Sequence, residues 1–202
     1  MKSVITLTAA VALLALSCGE EEGVTPREPD RLEPTSPAGV LKNVEISFNR
    51  HDINLLKAML SGNFVFYFDP RDMGQYPPGK PGYRIPGAWS RTEFLQAVKN
   101  MFDKAYSINL SIPTGRVGTP GENETTYRAD NITLSLVVMI DELNGFIADN
   151  GYCNFEFERY DSTAGKKYWR LTKWWDRTCG GYDEYPGVAS PSSFGRVLAI
   201  YN

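Results

Sequence analysis

Between residues 40 and 60 the large apolar side chains recur every three or four positions. Val40, Leu41, Val44 and Phe48 fall on one side of a helix that starts near Ser36-Pro37 and ends at Asn49-Arg50-His51. Asp52 is placed to cap a second short helix, Ile53 to Leu60, and Ser61-Gly62-Asn63 stops it. The period then falls to two. Phe64-Val65-Phe66-Tyr67-Phe68 is a strand apolar on both faces, which predicts cover on both. Ser90 and Glu93 have capping-box spacing and open a third helix through Phe94, Leu95, Val98, Met101 and Phe102. Beyond it, Tyr106, Ile108, Leu110 and Ile112 alternate with polar residues, and so do Ile132, Leu134, Leu136, Val138 and Ile140. A long strand from about Phe146 to Tyr160 then turns at Asp161-Ser162-Thr163-Ala164-Gly165 into Tyr168–Asp176, which holds three of the four tryptophans.

That last hairpin carries a register. Phe155 and Phe157 should share a face with Trp169 and Leu171, because paired strands must agree on which side is core. Glu156 and Glu158 then fall near the level of Arg170, and Cys153 near Lys173 or Trp175. Trp174 and Trp175 point to opposite faces of a regular strand, so one of them stands on the outside of the sheet. Cys179 lies several residues past Cys153 in this register, too far for a disulfide unless Gly180-Gly181 folds the chain back.

Three stretches break the pattern. Residues 19–37 hold Glu, Pro, Gly, Thr and Ser with two large apolar residues, the composition of a disordered tether. Asp69 to Gly87 is a long Pro- and Gly-rich loop of the kind that is usually functional or partly disordered. Residues 180–191 are rich in Gly, Pro and Tyr. After them, Phe194 to Tyr201 is apolar enough to dock as a final helical turn capped by Ser192 or Ser193.

The N-terminus adds a location. Met1-Lys2-Ser3 is followed by an apolar run, Val4 to Leu16, shorter than the roughly 20 residues needed to span a bilayer and built like a secretory signal. It ends in Ala15-Leu16-Ser17-Cys18, which resembles the lipobox of bacterial lipoproteins. The resemblance implies removal of residues 1–17 and lipidation of Cys18; an ordinary signal cleaved near Ser17 is the alternative. The expected location is the cell envelope, reached by export, with a lipid anchor in the inner or the outer membrane. A net charge of −3, a pI near 5.3 and the lack of any Lys/Arg run argue against a nucleic-acid partner.

The order of elements, with Asn49 to Leu60 leading into Phe64–Asp69 and the closing Tyr168–Asp176, resembles the NTF2-like, or SnoaL-like, superfamily over Ala38 to Thr178. The resemblance implies a cone-shaped α+β (cystatin-like) fold: a curved antiparallel sheet packed against three N-terminal helices around a pocket, at residues 38–179, with 180–202 as an extension. Family members include isomerases, dehydratases, hydrolases and binding or dimerisation modules, so fold alone does not assign activity. The pocket-lining candidates it implies are Tyr67, Asp69, Tyr106, Asn109, Asp130 and Asp176. Trp89, Trp174 and Trp175 add rings that can stack on a flat ligand. The sheet face bearing Trp174 is the expected dimer surface.

Motifs for chemistry are sparse. His51, the only histidine, stands beside Asp52 at an interhelical turn, where capping explains the carboxylate better than catalysis does. No zinc set, phosphate loop, Gly-x-Ser-x-Gly or Cys-x-x-Cys is present. Asp69, Asp72 and Asp183 have no metal-ligand spacing, and no cofactor is implied. The expectation is a lipid-anchored module that binds a small apolar ligand or another chain. The alternative is an isomerase, dehydratase or hydrolase with Asp69 or Asp176 as base and Tyr67 or Tyr106 as hydrogen-bond donor.

Overall fold

The amphipathic stretch after Ser36 is helix α1, Pro37–Asn49, in the computed structural model, which describes residues 32–149, 151–161, 165–178 and 189–202. The lipobox-like Cys18, the tether up to residue 31, and Cys179 and Asp183 lie outside the described residues. Ser36 caps α1 through its hydroxyl, which accepts from Gly39 N at 3.1 Å, and Val40, Leu41, Val44 and Phe48 are all fully buried. Residues just before α1 are pinned as well: Trp169 N donates to Pro34 O at 2.7 Å and Asn43 Nδ2 donates to Leu32 O at 2.7 Å. Asp52 caps α2, Ile53–Met59, by accepting from Leu55 N at 2.8 Å. The capping box opens α3, Arg91–Lys104, with Ser90 N donating to Glu93 Oε2 at 2.7 Å.

The strands are β1 Leu60–Tyr67, β2 Ala88–Ser90, β3 Ser107–Ser111, β4 Thr126–Thr133, β5 Ser135–Met139, β6 Gly145–Ala148, β7 Gly151–Asp161, β8 Lys167–Thr178 and β9 Ala189–Pro191. They form two sheets, ordered β2-β1-β8-β7-β4 and β3-β5-β6-β9. β1 runs parallel to β8 and β6 parallel to β9, so the curved sheet is mixed rather than antiparallel throughout. A fourth helix, α4 Phe194–Ile200, follows β9. The edge strand β3 is covered by α1, where Asn49 exchanges two hydrogen bonds with Leu110 and Glu45 accepts from Ile112 N.

Several boundaries differ from expectation, and bulges account for two of them. β1 begins at Leu60 and runs through Ser61-Gly62-Asn63, which do not stop the chain; they shift its register against β8 between Leu60 and Val65. β4 begins at Thr126 because Asp130 and Asn131, the latter at φ 57, interrupt the alternation before Ile132. The long penultimate strand is two, β6 and β7, placed in different sheets.

The bulge with the largest consequence is in β8. Phe157 pairs with Leu171 but Glu156 pairs with Lys173, so Thr172 is an extra residue. Leu171 and Thr172 are both buried, and from there the inward set changes from odd to even positions: Trp174, Asp176 and Thr178. The bulge moves Cys153 opposite Asp176 rather than Lys173 or Trp175. Phe155 and Phe157 share the buried face of Trp169 and Leu171, as the pairing rule requires.

Candidate functional site

The inner end of β8 meets the loop after β1 and the start of α4, and the buried polar side chains gather there. Asp176 is 0% exposed. Its Oδ1 accepts from Thr178 N at 2.8 Å and from the Thr178 hydroxyl, and its Oδ2 accepts from Gly195 N at 2.7 Å. Thr178 Oγ1 in turn accepts from Phe194 N at 2.7 Å, and Ser193 Oγ accepts from Arg196 N at 3.1 Å. The Ser193 hydroxyl donates to Asp72 Oδ2. The first N–H groups of α4, which no helix can satisfy internally, are thus met by β8 and by Ser193. Burial pushes the Asp176 carboxyl up to about 7, against the Thr178 and Gly195 hydrogen bonds that favour its charged form. Burial likewise raises Asp72, partly opposed by Ser193 and Arg196. Cys153, opposite Asp176, is a free and fully buried thiol. Burial first, and then the Asp176 charge, hold it well above its ordinary range, so it stays protonated.

Aromatic rings fill the interior next to this cluster. Phe194 stacks on Trp174 with centroids 4.5 Å apart and also meets Phe66 and Phe48, while Trp174 meets Phe155 and Phe94. Trp89 is buried against Phe68 and donates from Nε1 to the Tyr83 hydroxyl at 3.0 Å.

The outer face of the same sheet is organised differently. Tyr67 and Trp175, paired across β1 and β8, stack at 5.3 Å with their planes 8° apart. Arg128 lies 4.9 Å over the Trp175 ring, and Lys173 is 5.7 Å from its centroid. Lys173 bonds Glu156 at 2.9 Å, which raises the lysine's pKa, and Glu156 is itself paired with Arg128 across β7 and β4. Glu158 stands opposite Arg170, whose guanidinium lies 4.1 Å over Tyr160.

The expected site residues therefore separate. Asp176 alone reaches the interior as a carboxylate beside apolar rings. Asp69 is 3% exposed but held by Arg71 at 2.7 and 2.9 Å; burial raises its carboxyl, and the Arg71 bonds outweigh that and hold it below its ordinary value. Tyr67 faces outward, Tyr106 is 62% exposed, Asn109 lies on the solvent side of β3, and exposed Asp130 pairs with Arg128 at 2.8 Å. No base-and-donor pair is assembled from Asp69 or Asp176 with Tyr67 or Tyr106. Trp174 is core, so the expected dimer face does not carry it; Trp175 is the outward ring. His51, at φ 54, stacks on Phe102. Thr178 and Asp72 were not expected in the cluster, although the Ser192-Ser193 cap signal points to their partner. Among the described residues no three His, Cys, Asp or Glu side chains are placed to hold a metal ion, and no helix is long and apolar enough to cross a membrane. A groove of ≈620 Å³ at the start of α1, lined by Leu32, Glu33, Ser36, Gly39, Lys42 and Thr114 among others, shares none of these groups.

No protein-family model and no curated protein matches the chain. Solved structures do. An NTF2-like protein of unknown function in nutrient uptake from Rhodospirillum rubrum aligns at TM-score 0.45 and 10% identity, over 68% of this chain and 93% of its own. An NTF2-like superfamily protein from Salmonella enterica aligns at 0.46 and 12%, over 73% and 94%. A putative scytalone dehydratase from Novosphingobium aromaticivorans aligns at 0.47 and 12%, over 75% and 87%. At these scores and identities the likeness assigns neither a family nor an activity.

Proposed function

We propose that the protein is an exported, lipid-anchored assembly module whose NTF2-like domain pairs with a second copy through the outer face of the β2-β1-β8-β7-β4 sheet. The observation that carries this is the outward row Tyr67–Trp175 with Arg128 and Lys173 beside it. A two-fold interface brings one patch against itself and so needs a patch carrying both members of each contact. This one does: Lys173, Arg128 and Arg170 alternate with Glu156, Glu158 and Asp130 across β8, β7 and β4. The place beside Trp174 that a small apolar ligand would take is held by the stacked ring of Phe194. The anchor reading is supported by the apolar run Val4 to Leu16 ending at Cys18.

Two measurements test the two halves. Sedimentation equilibrium of the chain lacking residues 1–18 should show a dimer that Trp175→Ala dissociates without unfolding. A wild-type monomer at high concentration removes the pairing. In cells, mass spectrometry of the mature N-terminus should find lipid on Cys18 and a water-soluble product from Cys18→Ala; an unmodified Cys18, or cleavage elsewhere, removes the anchor.

A further inference from the structure

Helix α4 has only seven residues, well below the roughly 12–15 at which a helix becomes stable by itself, so its helicity depends on where it docks. Its docking groups come from the rest of the fold. Gly195 N and Phe194 N donate to Asp176 and Thr178 on β8. Ser193 donates to Asp72, and Arg196 reaches Tyr76 O, both in the loop after β1. Lys80 in the same loop donates to Asn202 O, and Asn100 on α3 donates to Tyr201 O at 2.8 Å. The β1-β8-β7-β4 ladder and helices α1–α3 form their backbone hydrogen bonds without it.

α4 also buries Val197, Leu198 and Ala199, and its leading end has the form of a ligand: one aromatic ring, Phe194, stacked on Trp174, with two N–H donors on a buried carboxylate and a hydroxyl. With α4 withdrawn, the same recess keeps aromatic walls from Trp174, Phe66 and Phe48, and two hydrogen-bond acceptors at one end. Such a recess has the composition of a small-molecule site, apolar with a few converging polar groups. We infer that α4 is a displaceable plug, and that the recess it fills takes an aromatic molecule bearing an N–H or O–H donor, its ring on Trp174 and its donor on Asp176 or Thr178. This stands independently of pairing through the outer face.

Indole is the probe, because it joins one ring system to one N–H donor. Hydrogen exchange on the full chain is measured with and without it, alongside calorimetric titration. The expected result is faster exchange of the amides of residues 194–200 in the wild type when indole is present, with β7 and β8 unchanged or slower. Phe194→Ala removes the competing ring and should bind indole at least ten-fold more tightly than the wild type. Gly195→Ala is the second variant should Phe194→Ala not fold. A Cβ on Gly195 would meet Phe68 Cδ1 at 2.7 Å and Asp176 Oδ2 at 3.0 Å, so it loosens the helix and should raise indole affinity in the same direction. Unchanged α4 exchange at saturating indole, or variants that fold and gain no affinity, overturns the inference.

Discussion

Trp174 and Trp175 are neighbours in sequence with opposite surroundings. Trp174 is fully buried among the rings of Phe66, Phe94, Phe155 and Phe194. Trp175 is half-buried and stands on the outer face between Tyr67 and the cations of Arg128 and Lys173. Alternation along a strand guarantees that two adjacent residues diverge, but it does not say which one goes in. Thr172 decides that. Had β8 stayed regular from Trp169, the odd positions Lys173 and Trp175 would have turned inward and Asp176 outward. The inserted residue reverses this, puts the larger ring cluster inside and carries Asp176 to the place where α4 begins.

The sharpest way to break this contrast is to shift the phase of β8 by one residue. Inserting one alanine between Thr172 and Lys173 should turn Lys173 inward and Trp174 outward over the C-terminal half of β8, and the expected outcome is no cooperative thermal transition. An insertion variant that melts like the wild type would show that the phase of β8 after Thr172 does not set the faces. Next comes Trp174→Ala, which truncates a fully buried ring and should cost about 3–5 kcal/mol in denaturant unfolding. Trp175→Ala should cost about 1 kcal/mol or less, since its ring is partly in water and its cation contacts are exposed. Equal losses at the two positions would erase the distinction between the faces.

The acidic cluster gives the contrast a pH dependence. The folded Asp176 carboxyl titrates near 7 against 3.8 in the unfolded chain, so between those values the folded state holds a proton that the unfolded state releases. Stability from this group is complete below about 4 and is lost as pH rises through 7, by at most about 1.4 kcal/mol per pH unit. Asp72, facing the same cluster and also raised, acts in the same direction. Asp69, lowered beside Arg71, acts oppositely and only as pH falls below its unfolded value. Melting temperature should therefore fall from pH 5 to pH 8, and Asp176→Asn should flatten that slope. A rising melting temperature over this range would contradict the burial of Asp176. The smallest expected effect is on the outer face: Glu156→Gln should change stability by under about 1 kcal/mol, an amount that salt removes from the wild type.

Much of the fold was legible because its signals are local. The 3–4 spacing in α1, the Ser90–Glu93 box of α3 and the Ser193 cap of α4 each involve residues within one or two turns. The bulges were not legible. Ser61-Gly62-Asn63 reads as a stop signal and the next alternation reads only from Ile132, yet residues 61–63 and Asp130-Asn131 sit at bulges inside strands whose partners lie far along the chain. For the site, Asp176 was identifiable as a polar residue in an aromatic strand. Its partners were not, since Gly195, Ser193 and Asp72 approach it only after α4 docks. Tyr106 and Asn109 are pocket candidates by resemblance alone, but Tyr106 precedes β3 and is exposed, and Asn109 lies on the solvent side of β3, an edge strand of the second sheet.

The two faces make separable claims, and the outer one is tested most directly by association. Sedimentation equilibrium on the wild type, Trp175→Ala and a stability-matched core variant such as Phe157→Leu should return a dimer for the wild type and the core variant and a monomer for Trp175→Ala. A monomeric wild type, or a Trp175→Ala protein that associates as strongly as the wild type, would contradict pairing through the outer face of the sheet.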